Sequence, residues 1–459
     1  MFYITVILII LISFLYWLEK KELRGFFLFW YIIFLPTSSL LPEDIIKIPG
    51  FRFEVLFGLF FFMFDLFASR ENSIETKIIW KSIKPALMLY LLQMIYILYE
   101  AFKTTIVPVA SVSEGMDINF PIFLIRNLIF LAIFLRICFL LQDDYFRKIV
   151  LYALTAGFIL LGISSFFSEI LISIGLNPAG KYAFDTIAGH KVFRSAGLYR
   201  GDPTQFSAFL STGFGLAFAL FLLAKTNIFR IYLFLAIIAC FLGNLNSGTR
   251  AGFIGIISVI IFYLLVEKQS FSRKSLIIFL IIISGIWMVF NFGEFFLSRL
   301  ESTGEQLSGA DNQMSRMAVW SAHVLYFINN PDIWLFGTWE PVHVGQFILA
   351  SHSTPLKYLV YAGIPFFLIY YKNIFSLFSI YFKNREKFSF NFIYPLLGYF
   401  VPSAMNDNFD LAYLPIIIAL GLFNPRMLKI SALFYDDYLM KKKDSKKNFE
   451  KEIERKTIL

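Results

Sequence analysis

The sequence predicts an all-α integral membrane protein with about 12–14 transmembrane helices. Hydrophobic residues make up 58% of the chain and charged residues 16%, where an ordinary soluble domain carries about 25% charged residues. The mean hydropathy is +0.69. Apolar runs of 16 to 28 residues recur along the chain, the length that about 30 Å of hydrocarbon demands of a helix. The polar–apolar alternation of an outer-membrane barrel is absent.

In chain order, apolar spans are expected near 2–18, 25–41, 55–69, 86–102, 121–141 and 149–176. Further spans are expected near 204–224, 231–246, 251–266, 275–293, 355–371, 392–405 and 411–424, thirteen in all. The first and the last two are short, and Pro402 and Pro415 are candidate breaks in the last two. No small-residue cleavage site follows the first span, so it reads as a retained helix and not a removed signal peptide. Residues 1–424 form one polytopic domain, and 425–459 a basic tail.

Lys and Arg placement sets the orientation. The connections at 19–24, 70–85, 143–148, 225–230, 267–274 and 372–391, with the tail from Asn424, hold 28 of the 41 Lys and Arg. The alternate connections, at 42–54, 103–120, 177–203, 247–250, 294–354 and 406–410, hold ten. The first set is therefore assigned to the cytoplasm and the second, with the N-terminus, to the outside. Arg126, Arg136 and Lys357 fall within spans; Arg136 is placed to snorkel toward Asp143 and Asp144, whereas Arg126 lies at a costly depth. The tail from Met440 to Leu459 reads as a solvated topology signal or as an anchor to anionic headgroups among the membrane lipids. It holds eight Lys and Arg against four Asp and Glu, +4 of the net charge of +9. No basic groove with interleaved aromatics accompanies it, so nucleic acid is not an expected partner.

Cys138 and Cys240 both lie inside spans and read as packing residues, not as a disulfide framework or a metal site. Walker-type phosphate loops and an HExxH pair are absent, so any phosphate must be held by side chains. No internal repeat of the kind that builds many transporters is visible.

Two external loops are long, 177–203 and 294–354, and function concentrates in such segments. The first carries KVFRSAGLYRGDPTQF, with Arg194 and Arg200 ahead of the next span. The turn NLNSGTRAG places Arg250 at the mouth of the following one. The second loop carries DNQMSRMAVWSAHVLYFINNP, which reads as an amphipathic helix lying on the membrane surface, begun by Arg316 and ended by Asn329, Asn330 and Pro331. Arginine's planar fork binds phosphate oxygens bidentately and keeps its charge at any relevant pH. Four arginines at headgroup level suit a diphosphate whose lipid tail stays in the bilayer. Each taken alone also suits snorkelling or contact with ordinary phospholipid. Of the four histidines, His190 and His343 lie in the external loops and His323 on the surface helix. His352 stands just before a span, at the lipid–water boundary, where neutral imidazole can take a proton from a sugar hydroxyl. A histidine at a helix start also serves as a cap or a surface residue.

Taken in order, these segments resemble the bacterial O-antigen polymerase and O-antigen ligase superfamily of membrane glycosyltransferases. The resemblance is carried by Arg250 in SGTRAG, Arg316 in SRMAVWSAHVLYFINNP, and His352-Ser353 followed after nine residues by Gly363-Ile-Pro. FRSAGLYRGDPTQFSAFL is similar to the family's arginine-bearing stretch ahead of an earlier span. The likeness covers roughly residues 190–425. One departure is Phe366, where the family often has a second glycine, which puts close helix packing there in question. The resemblance implies a GT-C-like fold in the bacterial inner membrane, with a periplasmic site. It implies transfer of a glycan from undecaprenyl diphosphate to an acceptor sugar hydroxyl, with inversion and with neither metal nor cofactor. His352 would be the general base. Arg250 and Arg316 would hold the leaving diphosphate, and Arg194 and Arg200 would bind diphosphate or acceptor anions. A polymerase, whose acceptor is a second lipid-linked repeat unit and whose partners include a chain-length regulator, is favoured over a ligase acting on lipid A core. A flippase of lipid-linked sugars is the alternative from another class.

Overall fold

The computed structural model describes residues 2–37, 53–68, 76–106, 120–141, 143–167, 170–171, 185–187, 190–192, 195–199, 203–224, 226–266, 316–344, 347–348, 351–384, 391–405 and 413–422. Thirteen α-helices account for most of these residues. They are α1 Phe2–Glu19, α2 Leu23–Phe34, α3 Phe53–Ala68, α4 Thr76–Ile106, α5 Phe120–Leu140, α6 Asp144–Ser164 and α7 Pro203–Leu223. There follow α8 Asn227–Ser247, α9 Arg250–Val266, α10 Arg316–Asn329, α11 Thr354–Asn384, α12 Ile393–Ser403 and α13 Tyr413–Leu422.

Twelve of the thirteen expected spans fall on these helices; the other, 275–293, lies outside the described residues. Six helices are long and apolar enough to cross a membrane: α5, α7, α8, Ile83–Lys103 of α4, Asp144–Phe167 through α6, and Thr354–Lys383 of α11. Four shorter apolar helices lie in α1, α2, α9 and α13. The architecture is that of an all-helical, multi-pass membrane protein. Two boundaries differ from expectation. The span expected to reach 176 leaves the α-helix at Ser164 and runs on as a 3-10 turn at Ser165–Phe167. The span expected to stop at 371 continues to Asn384 and is broken inside, at Gly363. Pro402 sits in the last turn of α12 and Pro415 in the first turn of α13, where a missing N–H is tolerated in the latter case. Two minimal antiparallel hairpins punctuate the long loops: β1 Asp185–Ile187 with β2 His190–Val192, and β3 His343–Val344 with β4 Phe347–Ile348.

Local signals set several ends. Asp143 caps α6, its carboxylate accepting the Tyr145 N–H at 2.8 Å. Gly248 ends α8 in the left-handed conformation at φ 61°, which an L side chain adopts at a cost. In lipid there is no hydrophobic force between apolar helices, so close backbone approach has to hold them. A Cβ on Gly162 of α6 would lie 2.7 Å from the Ala239 carbonyl carbon of α8, and one on Gly398 of α12 would strike the Ser211 carbonyl of α7. Ser211 also donates its hydroxyl to the Gly398 carbonyl. Cys138 and Cys240 are both buried and unoxidised in this packing.

Contacts fix the helix directions. Trp17 and Ile149 meet at Gly25, so α2 runs parallel to α6. Tyr394 of α12 meets Gly215 of α7 while Gly398 meets Ser211, an antiparallel pair. Tyr96 packs on Tyr358 and Asn373 bonds to the Pro85 carbonyl, so α4 and α11 are antiparallel. Phe262 packs on Tyr381 and Phe382, so α9 and α11 run parallel. The ends of α2, α4, α6 and α8 therefore share one end of the bundle with the starts of α5, α7, α9 and α11. We call it the loop end, because both long loops leave from it.

The opposite end holds a buried charge cluster. Asp65 of α3, fully buried, pairs with Arg136 of α5 and lies 3.7 Å from Arg24 of α2. The expected reach of Arg136 toward Asp143 and Asp144 is thereby corrected. Asp144 instead pairs with Arg147, one helical turn on, while Asp143 is the helix cap. A carboxylate already buried between helices offers Arg136 a shorter path than snorkelling to the next connection. Arg126 lies near the loop end with its guanidinium 4.9 Å above the Phe123 ring, an arrangement that offsets part of the cost of its depth.

Candidate functional site

Arg194 and Arg200 lie outside the described residues, but the segment between them is firmly placed. The Ser195 N–H donates to the Asn246 carbonyl at 3.2 Å. The Leu198 N–H donates to Ser164 Oγ at 3.0 Å. Tyr199 bridges to Thr37 beyond α2. Gly197, at φ 54°, lies so close to α6 that a Cβ would come within 2.6 Å of the Ser165 nitrogen. Residues 195–199 thus cross the loop end against the ends of α2, α6 and α8.

Arg250 opens α9 three residues after the last residue of α8. Beside it, Thr249 is buried and its hydroxyl donates to the Pro203 carbonyl at 3.2 Å, tying this mouth to the start of α7. Arg250 itself is partly exposed. Beneath it lies Asn244, wholly buried, whose amide nitrogen donates to the Cys240 carbonyl at 3.0 Å. Its Oδ1 accepts no hydrogen bond among the described residues and points at Gly252, where a Cβ would collide with it. A polar floor under a cationic mouth follows, in which Gly252 is needed for space.

Arg316 is the first residue of α10, as expected. The helix lies at the loop end, but not simply on the membrane surface. Val319, His323 and Phe327, four residues apart, are buried against the segment leading into α11, while Val324, Leu325 and Ile328 face outward. His323, on a helix expected to lie on the membrane surface, is fully buried, and the cause is clear. Its Nδ1 lies 2.8 Å from the Val319 carbonyl and its Nε2 3.4 Å from the Tyr361 hydroxyl. With Nδ1 protonated and donating, Nε2 is left to accept from the tyrosine. The ring is a tie between α10 and α11.

His352 is presented differently. Ser351 and Ser353 on either side are buried, and the Ser351 hydroxyl donates to the Ser353 carbonyl at 3.1 Å. The same carbonyl accepts the Lys357 N–H at 2.8 Å, starting α11. Between the two pinned serines His352 adopts φ 49° and is exposed. Non-glycine residues are uncommon in this region, histidine less so than most. A backbone held there by its neighbours is the kind of local strain that gathers at functional sites.

Gly363, nine residues beyond the His352-Ser353 pair's start of helix, breaks α11 at φ 83°, ψ 172°. The break and Pro365 together strip two carbonyls of their helical donors. Val360 C=O instead accepts the Thr338 N–H at 2.8 Å. Tyr361 C=O accepts the ammonium of Lys103 from α4. Lys103, buried, also donates to the Thr338 carbonyl at 2.8 Å and lies 3.4 Å from Glu100 and 4.2 Å over the Tyr99 ring. One lysine therefore caps the broken helix and the loop docked on it. Nothing in the local sequence of α4 marked Lys103 for this; a lysine near the end of a span reads as ordinary snorkelling. Phe366, standing where a second glycine had been expected, packs on Tyr96 at 5.6 Å and Tyr358 at 5.2 Å. Aromatic rings hold α4 and α11 there in place of close backbone contact.

The structure therefore brings Arg250, the segment flanked by Arg194 and Arg200, the start of α10 and His352 to one end of the bundle. Gly255 faces Pro402, and Phe400 packs on Tyr370. Counting along the helices from these contacts sets Arg250 near the level of Gly363, while the first turns of α11 fold back at the break, so that Tyr358 packs on both Tyr370 and Tyr96. These features define an all-helical, multi-pass bundle with Arg250 and His352 at the same end. Comparison with known protein families and with curated proteins finds no match for this chain.

Proposed function

We propose that the protein is an inner-membrane glycosyltransferase of lipid-linked glycans with a GT-C-like architecture and a periplasmic site, and specifically an O-antigen or related polysaccharide polymerase. The observation that carries this reading is His352, exposed between two buried serines in a left-handed conformation, at the same end of the bundle as Arg250. In the proposed reaction the imidazole takes the proton of an acceptor sugar hydroxyl as its oxygen attacks the anomeric carbon of the donor. The bond from that carbon to undecaprenyl diphosphate breaks, and the configuration inverts. Arg250 and Arg316 hold the departing diphosphate, where preorganised cations stabilise developing charge. Arg194 and Arg200 serve the second lipid-linked repeat unit. A carrier is less well supported, because the described ion pairs sit at the two ends of the bundle and not along its depth.

Purified protein given undecaprenyl-diphosphate-linked repeat units in detergent, with a chelator present, should build longer glycans. His352→Ala should slow turnover by about 10²–10⁴-fold, the usual contribution of a positioned base, while donor still binds. Arg250→Lys should restore little, since a point charge cannot replace the planar fork. Movement of the carrier lipid across sealed vesicles without elongation would overturn the reading. Transfer only to lipid A core would make the protein a ligase.

A further inference from the structure

The segment from Ile333 to Trp339, IWLFGTW, carries no charge, with Asp332 before it and Glu340 after it. It follows α10 as a 3-10 turn and then docks at the Gly363 break. Leu335 and Phe336 are nonetheless 63% and 70% exposed, with Trp334 and Trp339 partly so. Large apolar side chains on a fixed external loop need an apolar partner. The backbone under them is held rigidly: Tyr99 donates its hydroxyl to the Phe336 carbonyl, Lys103 to that of Thr338, and Trp334 Nε1 to that of Phe327. The side chains project from an ordered platform.

Their level is set by the helices they touch. The apolar stretch of α4 ends at Lys103, directly under Thr338. Phe120, the first residue of α5, packs on Phe102 at 5.7 Å, and Phe102 on Trp339 at 6.5 Å. Below the break, α11 has the twenty residues from 364 to 383 within its apolar stretch, about 30 Å of helix and so one hydrocarbon thickness. Three helices therefore place the same plane, the outer edge of the bilayer, at this loop. Tryptophan and tyrosine gather at that edge, where one side of the ring is apolar and the other wet.

We propose that residues 333–339 are an interfacial wedge, inserted among the lipid headgroups and upper acyl chains, which pins the Gly363 break at the bilayer boundary. At that break residues 354–362 turn back against the rest of α11, Tyr358 packing on Tyr370 and Phe366. The partner of this surface is the lipid itself. The proposal concerns where the loop sits and holds whether or not the chain transfers glycans.

The test uses the full chain in phosphatidylcholine vesicles. Leu335→Cys and Phe336→Cys, each labelled with a polarity-sensitive fluorophore, report depth. Cys138 and Cys240 are buried and do not compete for label. His343→Cys, on the exposed hairpin, serves as the aqueous control. Labels at 335 and 336 should be quenched several-fold more by lipids brominated near the headgroup than by lipids brominated at the chain end. Iodide in the buffer should quench them several-fold less than the label at 343. Strong iodide quenching at both positions would show a loop in water and overturn the proposal. Protection from both iodide and brominated lipid would show a protein contact and overturn it equally.

Discussion

Gly363→Ala tests the broken helix on which the outer part of the molecule rests. At φ 83°, ψ 172° the backbone occupies a region reached in practice by glycine alone. A Cβ there would come within 2.5 Å of the Leu335 carbonyl oxygen and 2.8 Å of the Trp334 oxygen, both backbone atoms that cannot rotate away. The strain alone costs on the order of 1–3 kcal/mol. Relief requires the docked loop to lift, which gives up the Thr338 N–H bond to Val360 and the Lys103 bonds to Thr338 and Tyr361. Each such bond contributes about 0.5–1.5 kcal/mol net. A combined loss of about 3 kcal/mol shifts the balance of docked and lifted loop by roughly a hundredfold. Melting of the detergent-solubilised protein, followed by size exclusion, should fall by several degrees, and protease should cut within 331–340 far faster. Gly157→Ala is the matched control, since its Cβ would meet only the Tyr413 hydroxyl at 4.0 Å. If Gly363→Ala melts and resists protease as the wild type does, the break is not held as described.

Lys103→Met should resemble Gly363→Ala, because it leaves carbonyls at the break without a donor, at about 1–3 kcal/mol for each buried group left unsatisfied. The double variant should lose clearly less than the sum of the two, as expected for changes acting on one docked element; full additivity in the melting assay would separate lysine from break. His323→Ala should lower the yield of monodisperse protein, whereas His343→Ala should not, because only the first ring is buried and bonded at both nitrogens; equal yields would remove His323 from the packing. Cysteines at Ser308 and Ser445, probed with an impermeant thiol reagent in whole cells, should label at 308 and not at 445. The reverse pattern would invert the orientation on which a periplasmic site depends.

Much of the bundle was legible in the sequence because lipid imposes a one-dimensional rule: a helix must be long, apolar and internally hydrogen-bonded to cross. Runs of Phe, Ile and Leu announced twelve of the described helices, whereas the Asp143 cap and the left-handed end at Gly248 came from the structure. The start of α10 at Arg316 and that of α9 at Arg250 were equally readable, since capping and periodicity act over a few residues. His352 was singled out by its place before a span and by family resemblance; its left-handed backbone and its pinned serines were not visible.

What the tertiary structure alone decided are the pairings between residues distant in sequence. Arg136 turned to Asp65, 71 positions away, because a buried carboxylate on a neighbouring helix outweighs nearer ones at the surface. His323 was read only as lying on a surface helix, and the approach of Tyr361 shows which side of α10 is inward. The span 355–371 was read without a break at Gly363, and the donors that repair the break come from Lys103, 258 residues from Tyr361, and from Thr338, which bonds Val360. A sequence states which backbone groups a proline and a glycine will leave unsatisfied. Only the folded bundle states which side chain arrives to satisfy them, because that depends on which helices pack together and at what level.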